Sequence, residues 1–382
     1  MIMKKQIKPL LCFLLILSIL CADIGCFADC GKAEPVYVSL GDSIADGIGL
    51  PANPQKGPTR GDKNFLYCHK TEGAYPVLIA RKLGILDSNF YQLGCGSMRT
   101  VELRRCLDSS YTMPNHDTLN FQNGELEEYV LSRYNYVDLC SRADIITLNM
   151  GANDIATYAL LHVRSAMACG GVSDAIIDKI AGCEIRCGEY FGALAKLLEY
   201  ASKLEMFSRV VSAAIRGLSE GYATWTKNWD AICRKIYALN PDVTLVCIGM
   251  YNPFATMKLT RKSLVQVGAA LDGIVAAIDS WSAAGSAYAK KYTYVSIMGI
   301  ESIFAEHGTS FTDSDFLNSL ELDVHPSAKG QQQIADRVVR AVEKTDFCKP
   351  VQLIVDIGKK YVAAASRAGT VGVYIFNSII KR

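Results

Sequence analysis

The sequence predicts an α/β fold, a parallel sheet with helices on both faces. Short β-branched and apolar runs of about five residues alternate with longer segments in which apolar residues recur every three or four positions. Two of the short runs lead into glycine, at Gly41 and Gly151, as expected where a strand turns into a helix. The chain has 382 residues, enough for one large α/β domain with additions.

The first half of the chain carries three predicted strands, at 36–40, 90–93 and 145–150. A loop rich in glycine and proline runs from Gly47 to about residue 72, and helical apolar spacing follows from Tyr75 to Leu83. The segment from 156 to about 220 is rich in alanine and leucine and is predicted to form a helical insertion or cap.

The second half continues the alternation of helices and strands. Apolar residues at three- and four-residue steps predict an amphipathic helix over 224–239, which Pro241 terminates. Two further strands are predicted at 243–250 and 294–298, with a helix over about 262–290 between them. A last helix is predicted after Pro326, and the α/β domain is predicted to span 35–345.

Polar motifs follow the first and third predicted strands and precede the last helix. These are Gly41-Asp42-Ser43, Gly151-Ala152-Asn153-Asp154 and Asp323-Val324-His325-Pro326. Ester cleavage requires a hydroxyl nucleophile, a base for its proton and donors for the oxyanion. Because ligands bind beyond the carboxyl ends of parallel strands, the order predicts Ser43 as nucleophile, His325 as general base and Asn153 as an amide donor.

These motifs resemble the first, third and fifth sequence blocks of the GDSL/SGNH hydrolases. Tyr251-Asn252-Pro253-Phe254 after the fourth strand is similar to members from gram-positive bacteria, and the resemblance covers about 35–344. It implies a flavodoxin-like three-layer α/β/α sandwich with a five-stranded, mostly parallel sheet. It also implies ester hydrolysis without a cofactor, and an oxyanion hole that includes the backbone N–H of Ser43.

The second block departs from the family pattern. The family has glycine as a backbone oxyanion donor in this block, and the matching run here is 95–100, Cys-Gly-Ser-Met-Arg-Thr. Ser97 stands at the glycine position, and Gly96 comes one residue early. Serine supplies the same N–H if its φ and ψ permit, so Ser97 is narrowly preferred over Gly96.

The acid that would orient His325 is also displaced. The family places Asp three residues before the histidine, where this chain has Leu322. Asp323 lies two residues before and Glu321 four before. The acid fixes the imidazole tautomer and stabilises the imidazolium. Asp323 is preferred for this role, and a Ser–His dyad with a backbone carbonyl is the next alternative.

Residues 1–28 read as an export signal, with three lysines, an apolar run at 9–20 and small residues before a cleavage site near Ala28. The sequence therefore predicts a secreted or cell-surface protein. Cleavage would leave eleven of the 14 cysteines. A secreted protein can form disulfides, because the environment outside the cell is oxidising. The family resemblance implies a disulfide between Cys68 and Cys95.

Composition excludes several classes of function. The net charge is +2, and no basic stripe with interleaved aromatic residues is present, so nucleic acid is not expected as a partner. The histidines other than His325 show no metal-ligand spacing, so no metal is expected. No Gly-x-Ser-x-Gly motif occurs, which argues against the α/β-hydrolase fold.

The sequence thus predicts a secreted serine esterase that acts on lipid esters or acylated glycans. An acyltransferase would use the same Ser–His machinery, and a catalytically silent surface-binding protein would retain the fold. Residues 351–382 form a C-terminal extension with five basic residues and one acidic residue. This extension is predicted either to pack on the domain or to act as a weak anchor to a membrane or cell surface.

Overall fold

A computed structural model of the chain describes residues 34–53, 68–113, 131–186, 190–253, 255, 262–300, 325–345 and 347. The chain divides into two compact units, Val36–Ala341 and the terminal segments Met1–Pro35 with Val342–Arg382. In the second unit, a described turn has the N–H of Thr345 donating to the carbonyl of Val342 over 2.9 Å. The predicted export signal and the extension 351–382 lie outside the described residues.

A five-stranded sheet forms the centre of the unit Val36–Ala341. Its strands are β1 (Tyr37–Gly41), β2 (Phe90–Gln92), β3 (Ile145–Asn149), β4 (Thr244–Ile248) and β5 (Thr293–Val295). Their order is β2-β1-β3-β4-β5, and all four pairings are parallel. This is the flavodoxin-like order, so the predicted fold class is confirmed, with a sheet that is wholly parallel.

The register of the sheet brings two of the polar motifs together. Tyr37 pairs with Ile145 and Gly41 with Asn149, so β1 and β3 end level with each other. Every residue of these two strands is buried, as expected for strands covered on both faces. The strand order reverses between β1 and β3, and right-handed crossovers therefore send the helices to opposite faces. Ligands of such sheets bind beyond this reversal point.

Ten α-helices are described within this frame. They are α1 (Ser43–Asp46), α2 (Tyr75–Lys82), α3 (Thr100–Leu107), α4 (Tyr136–Arg142), α5 (Ala152–Cys169), α6 (Asp174–Arg186), α7 (Tyr190–Ser202), α8 (Phe207–Leu239), α9 (Lys262–Ser280) and α10 (Ala328–Val342). Helices α1, α3 and α4, which have four to eight residues, do not correspond to any helix predicted from the sequence.

The helical insertion differs from its prediction in one respect. Helices α5 to α8 fill the stretch between β3 and β4, but α8 is a single helix of 33 residues. The sequence instead predicts a separate helix at 224–239 after an insertion that ends near residue 220, close to Gly221. On α8, a Cβ at Gly217 would lie 2.4 Å from the carbonyl oxygen of Tyr158 on α5. The absence of that Cβ permits close helix packing, so a glycine in this helix does not mark its end.

Helix α9 is also shorter than the predicted 262–290. It ends at Ser280 and continues as a π-helical turn, Trp281–Gly285. The span Val265–Gly285 is long and apolar enough to cross a membrane, with a mean hydropathy of 1.2. Core helices of soluble proteins share this length and composition, so the span alone assigns no membrane location.

Candidate active site

The first motif forms a tight turn at the carboxyl end of β1. Asp42 caps α1, and its Oδ1 accepts a hydrogen bond from the N–H of Ile44 over 3.0 Å. Ser43 is the first residue of the helix and is half-buried. A Cβ at Gly41 would lie 2.5 Å from that of Ala45 and 3.0 Å from the Asn149 carbonyl, so the turn requires glycine there.

The histidine motif is held against the nucleophile turn by a residue that the sequence analysis did not identify. His325 is 6% exposed and stands three residues before α10. Gln331 on α10 is fully buried. Its Oε1 accepts from the N–H of Tyr75 over 2.9 Å, and its Nε2 donates to the carbonyl of Ile44 over 3.1 Å. Gln331 thereby links the helix that follows His325 to the helix that begins with Ser43.

The second block forms a turn with serine in a left-handed conformation. The N–H of Met98 donates to the carbonyl of Cys95 over 3.2 Å, and Ser97 has φ 65°. Gly96 is not among the described residues with positive φ, so the turn has the type II pattern. Ser97 thus adopts the conformation that favours glycine at the position where the family has one.

Replacing Ser97 with glycine should relieve the strain of this turn. A left-handed residue with a Cβ is destabilised by roughly 1–2 kcal/mol, and the added entropy of an unfolded glycine offsets part of the gain. We expect the free energy of unfolding to rise by about 0.5 kcal/mol in urea titrations. Ser97→Ala, which keeps the Cβ, is the matched control and should show no gain. A Ser97→Gly protein less stable than the alanine variant would contradict the strain.

The third motif begins α5 and holds the second-block turn. Gly151 has φ 138°, and a Cβ there would lie 2.6 Å from Nε1 of Trp225, which itself donates to the Met150 carbonyl. Asn153 donates from Nδ2 to the carbonyl of Met98 over 3.1 Å. An amide nitrogen carries two hydrogens, so a second N–H remains for a ligand.

Asp154 reinforces the same connection from a buried position. Its Oδ2 accepts from the N–H of Thr100 over 3.0 Å, and its Oδ1 accepts from the Thr100 hydroxyl. Burial raises the pKa of Asp154 to about 7, although the hydrogen bonds from Thr100 oppose that rise. This role of Asp154 could not be predicted from the sequence, because its partner Thr100 lies 54 residues earlier in the chain.

One cleft brings the predicted residues together. Ser43, Ser97, Asn153 and His325 all line it, whereas Gly96 does not. The cleft encloses about 720 Å³ of space, including its open mouth. The other lining residues are mostly apolar: Ile44, Ile48, Ala152, Tyr190, Phe191, Met250, Tyr251, Pro253 and Leu271. The two candidates for the acid, Asp323 and Glu321, lie outside the described residues.

A buried carboxyl group lies within electrostatic reach of His325. Burial raises the pKa of Asp42 to about 6, while the hydrogen bond from Ile44 and the charge of His325 act in the opposite direction. An ionised Asp42 favours the protonated imidazole of His325. Asp42 can therefore stabilise positive charge that develops on His325.

Two pairs of cysteine thiols are in contact in the described part of the chain. Cys68 and Cys95 are present as thiols, and a hydrogen bond to Cys68, with burial, raises the pKa of Cys95 well above its ordinary range. Cys247 is fully buried and likewise contacts Cys233. The disulfide between Cys68 and Cys95 thus stays a prediction, although the two thiols are adjacent.

The other described histidines pair with carboxylates. His69 Nδ1 lies 3.4 Å from Oδ2 of Asp46, and His162 Nε2 lies 2.6 Å from Oε2 of Glu220. Among the described residues, no three His, Cys, Asp or Glu side chains come together as a group that could hold a metal. Each of these two histidines thus has a carboxylate partner within the protein.

A model of the GDSL-like lipase/acylhydrolase family matches residues 39–333. The uncharacterized protein YpmR of Bacillus subtilis (strain 168) is 28% identical over 135 residues. That match covers 35% of this chain and 47% of the relative, so the chain spans about half the length of this curated relative.

Two solved lipase structures align with this chain at low sequence identity. The extracellular lipase of Streptomyces rimosus aligns with a TM-score of 0.42 and 16% identity, over 80% of this chain and 99% of that one. Phospholipase A1 of Streptomyces albidoflavus NA297 aligns with a TM-score of 0.42 and 17% identity, over 81% of this chain and all of that one.

Proposed function

The chain belongs to the GDSL-like lipase/acylhydrolase family of esterase/lipase-type hydrolases, and we propose that it hydrolyses carboxylic esters through an acyl-enzyme on Ser43. The observation that carries this proposal is the convergence of Ser43, Ser97, Asn153 and His325 on one cleft. A nucleophile, a base and oxyanion donors are the groups that acyl transfer requires.

In the proposed reaction, Ser43 Oγ attacks the ester carbonyl carbon while His325 accepts the hydroxyl proton. The N–H groups of Ser43 and Ser97 and the amide of Asn153 donate to the oxyanion. The tetrahedral intermediate then expels the alcohol, which takes the proton from His325. Water, activated by His325, attacks the acyl-enzyme, releases the carboxylic acid and restores the Ser43 hydroxyl.

Asn153→Ala should reduce kcat by on the order of 10²–10³ with little change in KM, as for the loss of one oxyanion donor. The amide would donate more strongly to the oxyanion than to the ground-state carbonyl, so the loss appears in kcat. Initial rates with a soluble nitrophenyl ester measure both constants. An increase in KM with kcat unchanged would assign Asn153 to substrate binding alone.

The apolar wall of the cleft supports a hydrocarbon acyl group as the part of the substrate bound there. Tyr190 and Phe191 come from α7 of the helical insertion, and Leu271 comes from α9. Each methylene buried on such a wall contributes about 0.8 kcal/mol, or roughly fourfold in binding. The preferred acyl length therefore depends on how far this wall extends.

Phe191→Ala should shorten the preferred acyl chain. Loss of contact with about two methylenes lowers kcat/KM for an octanoyl relative to an acetyl ester by on the order of tenfold. A series of nitrophenyl esters from two to twelve carbons measures the ratio, and the acetyl ester is the internal control. An unchanged profile in the variant would mean that the acyl chain lies elsewhere.

An acyltransferase remains the alternative within the same chemistry, because only the second nucleophile differs. Product analysis with an added alcohol or sugar acceptor distinguishes transfer from hydrolysis. A catalytically silent binding protein would not react with a fluorophosphonate probe. Export through residues 1–28 is part of the proposal, and N-terminal sequencing of the protein from culture medium tests it.

A further inference from the structure

A second cavity lies between α3 and the last turns of α8, and none of its lining residues belongs to the catalytic cleft. It encloses about 520 Å³ of space, including its open mouth, against about 720 Å³ measured in the same way for the catalytic cleft. Arg104, Arg234 and Lys235 line it, with Asp108 as the acidic residue. Leu107 and Ile232 contribute apolar surface between them.

Asp108 is the only carboxylate among the described residues that line this cavity with the three basic side chains. Among the described residues, no ion pair within 4.0 Å involves Arg104, Arg234 or Lys235. Oδ1 of Asp108 accepts two hydrogen bonds from Ser110, over 3.1 Å to its N–H and 2.7 Å to its hydroxyl. These hydrogen bonds are the main reason that the pKa of Asp108 is lowered. The nearby charges of Lys235 and Arg104 lower it further. The cavity therefore carries three positive charges against one negative charge.

The guanidinium of Arg104 is already oriented. Its Nη1 donates to Oδ1 of buried Asn228 over 3.2 Å, and its Cζ lies 3.9 Å from the centre of the Tyr111 ring. Asn228 is itself fixed, because its Nδ2 donates to the hydroxyl of Thr100 over 3.1 Å. An arginine held in this way loses little further rotamer freedom when it binds an anion.

We propose that this cavity binds a phosphate group. A phosphate offers several acceptor oxygens and up to two negative charges, which suit a guanidinium fork beside two further cations. The same chemistry is presented by inorganic phosphate and by the headgroup of an anionic phospholipid. The cavity shares no lining residue with the catalytic cleft, so the proposal does not rest on ester hydrolysis.

Calorimetric titration of the full chain with inorganic phosphate at low ionic strength tests the site. Arg234→Gln with Lys235→Gln removes two of the cations and should weaken phosphate binding at least tenfold. Arg209→Gln with Arg216→Gln is the matched control, since these exposed residues lie on the same helix, outside the cavity, and change the net charge equally. The control should bind phosphate as the unsubstituted protein does.

Vesicles of phosphatidylglycerol, with phosphatidylcholine vesicles for comparison, form the second arm. If only the Arg234→Gln, Lys235→Gln protein loses binding of inorganic phosphate, the site is supported and a free anion is one of its ligands. If no protein binds free phosphate, and only this double variant loses binding to phosphatidylglycerol vesicles, the site is supported and its ligand is a lipid headgroup. The proposal is overturned if neither ligand binds, or if both double variants weaken binding equally.

Discussion

Ser43→Ala should fold normally and lose on the order of 10⁴–10⁶ in kcat, as expected when the nucleophile of an acyl-enzyme mechanism is removed. Ser43 is the hydroxyl-bearing residue of the turn between β1 and α1, and it lines the cleft with His325. Its side chain contributes little to the turn, because Asp42 provides the helix cap. Activity should therefore fall far more than stability.

Two measurements check this expectation. Hydrolysis of a soluble nitrophenyl ester gives kcat, and a fluorophosphonate probe reports whether residue 43 is the site of covalent labelling. Ser88→Ala, at an exposed serine away from the cleft, is the control and should retain both properties. If Ser43→Ala kept more than a few per cent of the activity, the nucleophile assignment would be wrong.

The sheet could be predicted from the sequence because its three central strands are short runs of mostly apolar residues. The cores of β1, β3 and β4 were located within one or two residues, since strands buried on both faces read as continuous apolar runs. The extent of α8 could not be predicted. Gly217 and Gly221 reduce helix propensity locally, whereas their packing against α5 depends on tertiary structure.

The candidate site shows the same division between local and tertiary information. Ser43, Asn153 and His325 stand in short motifs with recognisable spacing, and strand order explains why they meet. Gln331 carries no such signal, because its hydrogen bonds connect it to residues 256 and 287 positions away. The preference for Ser97 rested on alignment with a family pattern, and its positive φ provides the conformational reason.

The remaining catalytic question is which group orients His325. Asp323 lies two residues before it, where the family spacing would place the acid three before, at Leu322. A carboxylate at this point would accept from the imidazole and stabilise the imidazolium that forms during the reaction. Asp42 lies within electrostatic reach of His325 and would supply part of that stabilisation from the opposite motif.

We expect Asp323→Ala to reduce kcat by about 10⁴, the loss seen when the acid of such a triad is neutralised. Removing a negative charge near His325 disfavours its protonated form, which lowers the pKa of the imidazole. The rising limb of the pH profile of kcat/KM should therefore move to lower pH. Glu321→Ala is the matched control and should stay within about threefold of the unsubstituted enzyme, a change of roughly 0.7 kcal/mol or less in barrier height. A loss below tenfold in Asp323→Ala, with an unmoved pH profile, would instead favour Glu321, if Glu321→Ala loses activity, or a Ser–His dyad oriented by a backbone carbonyl.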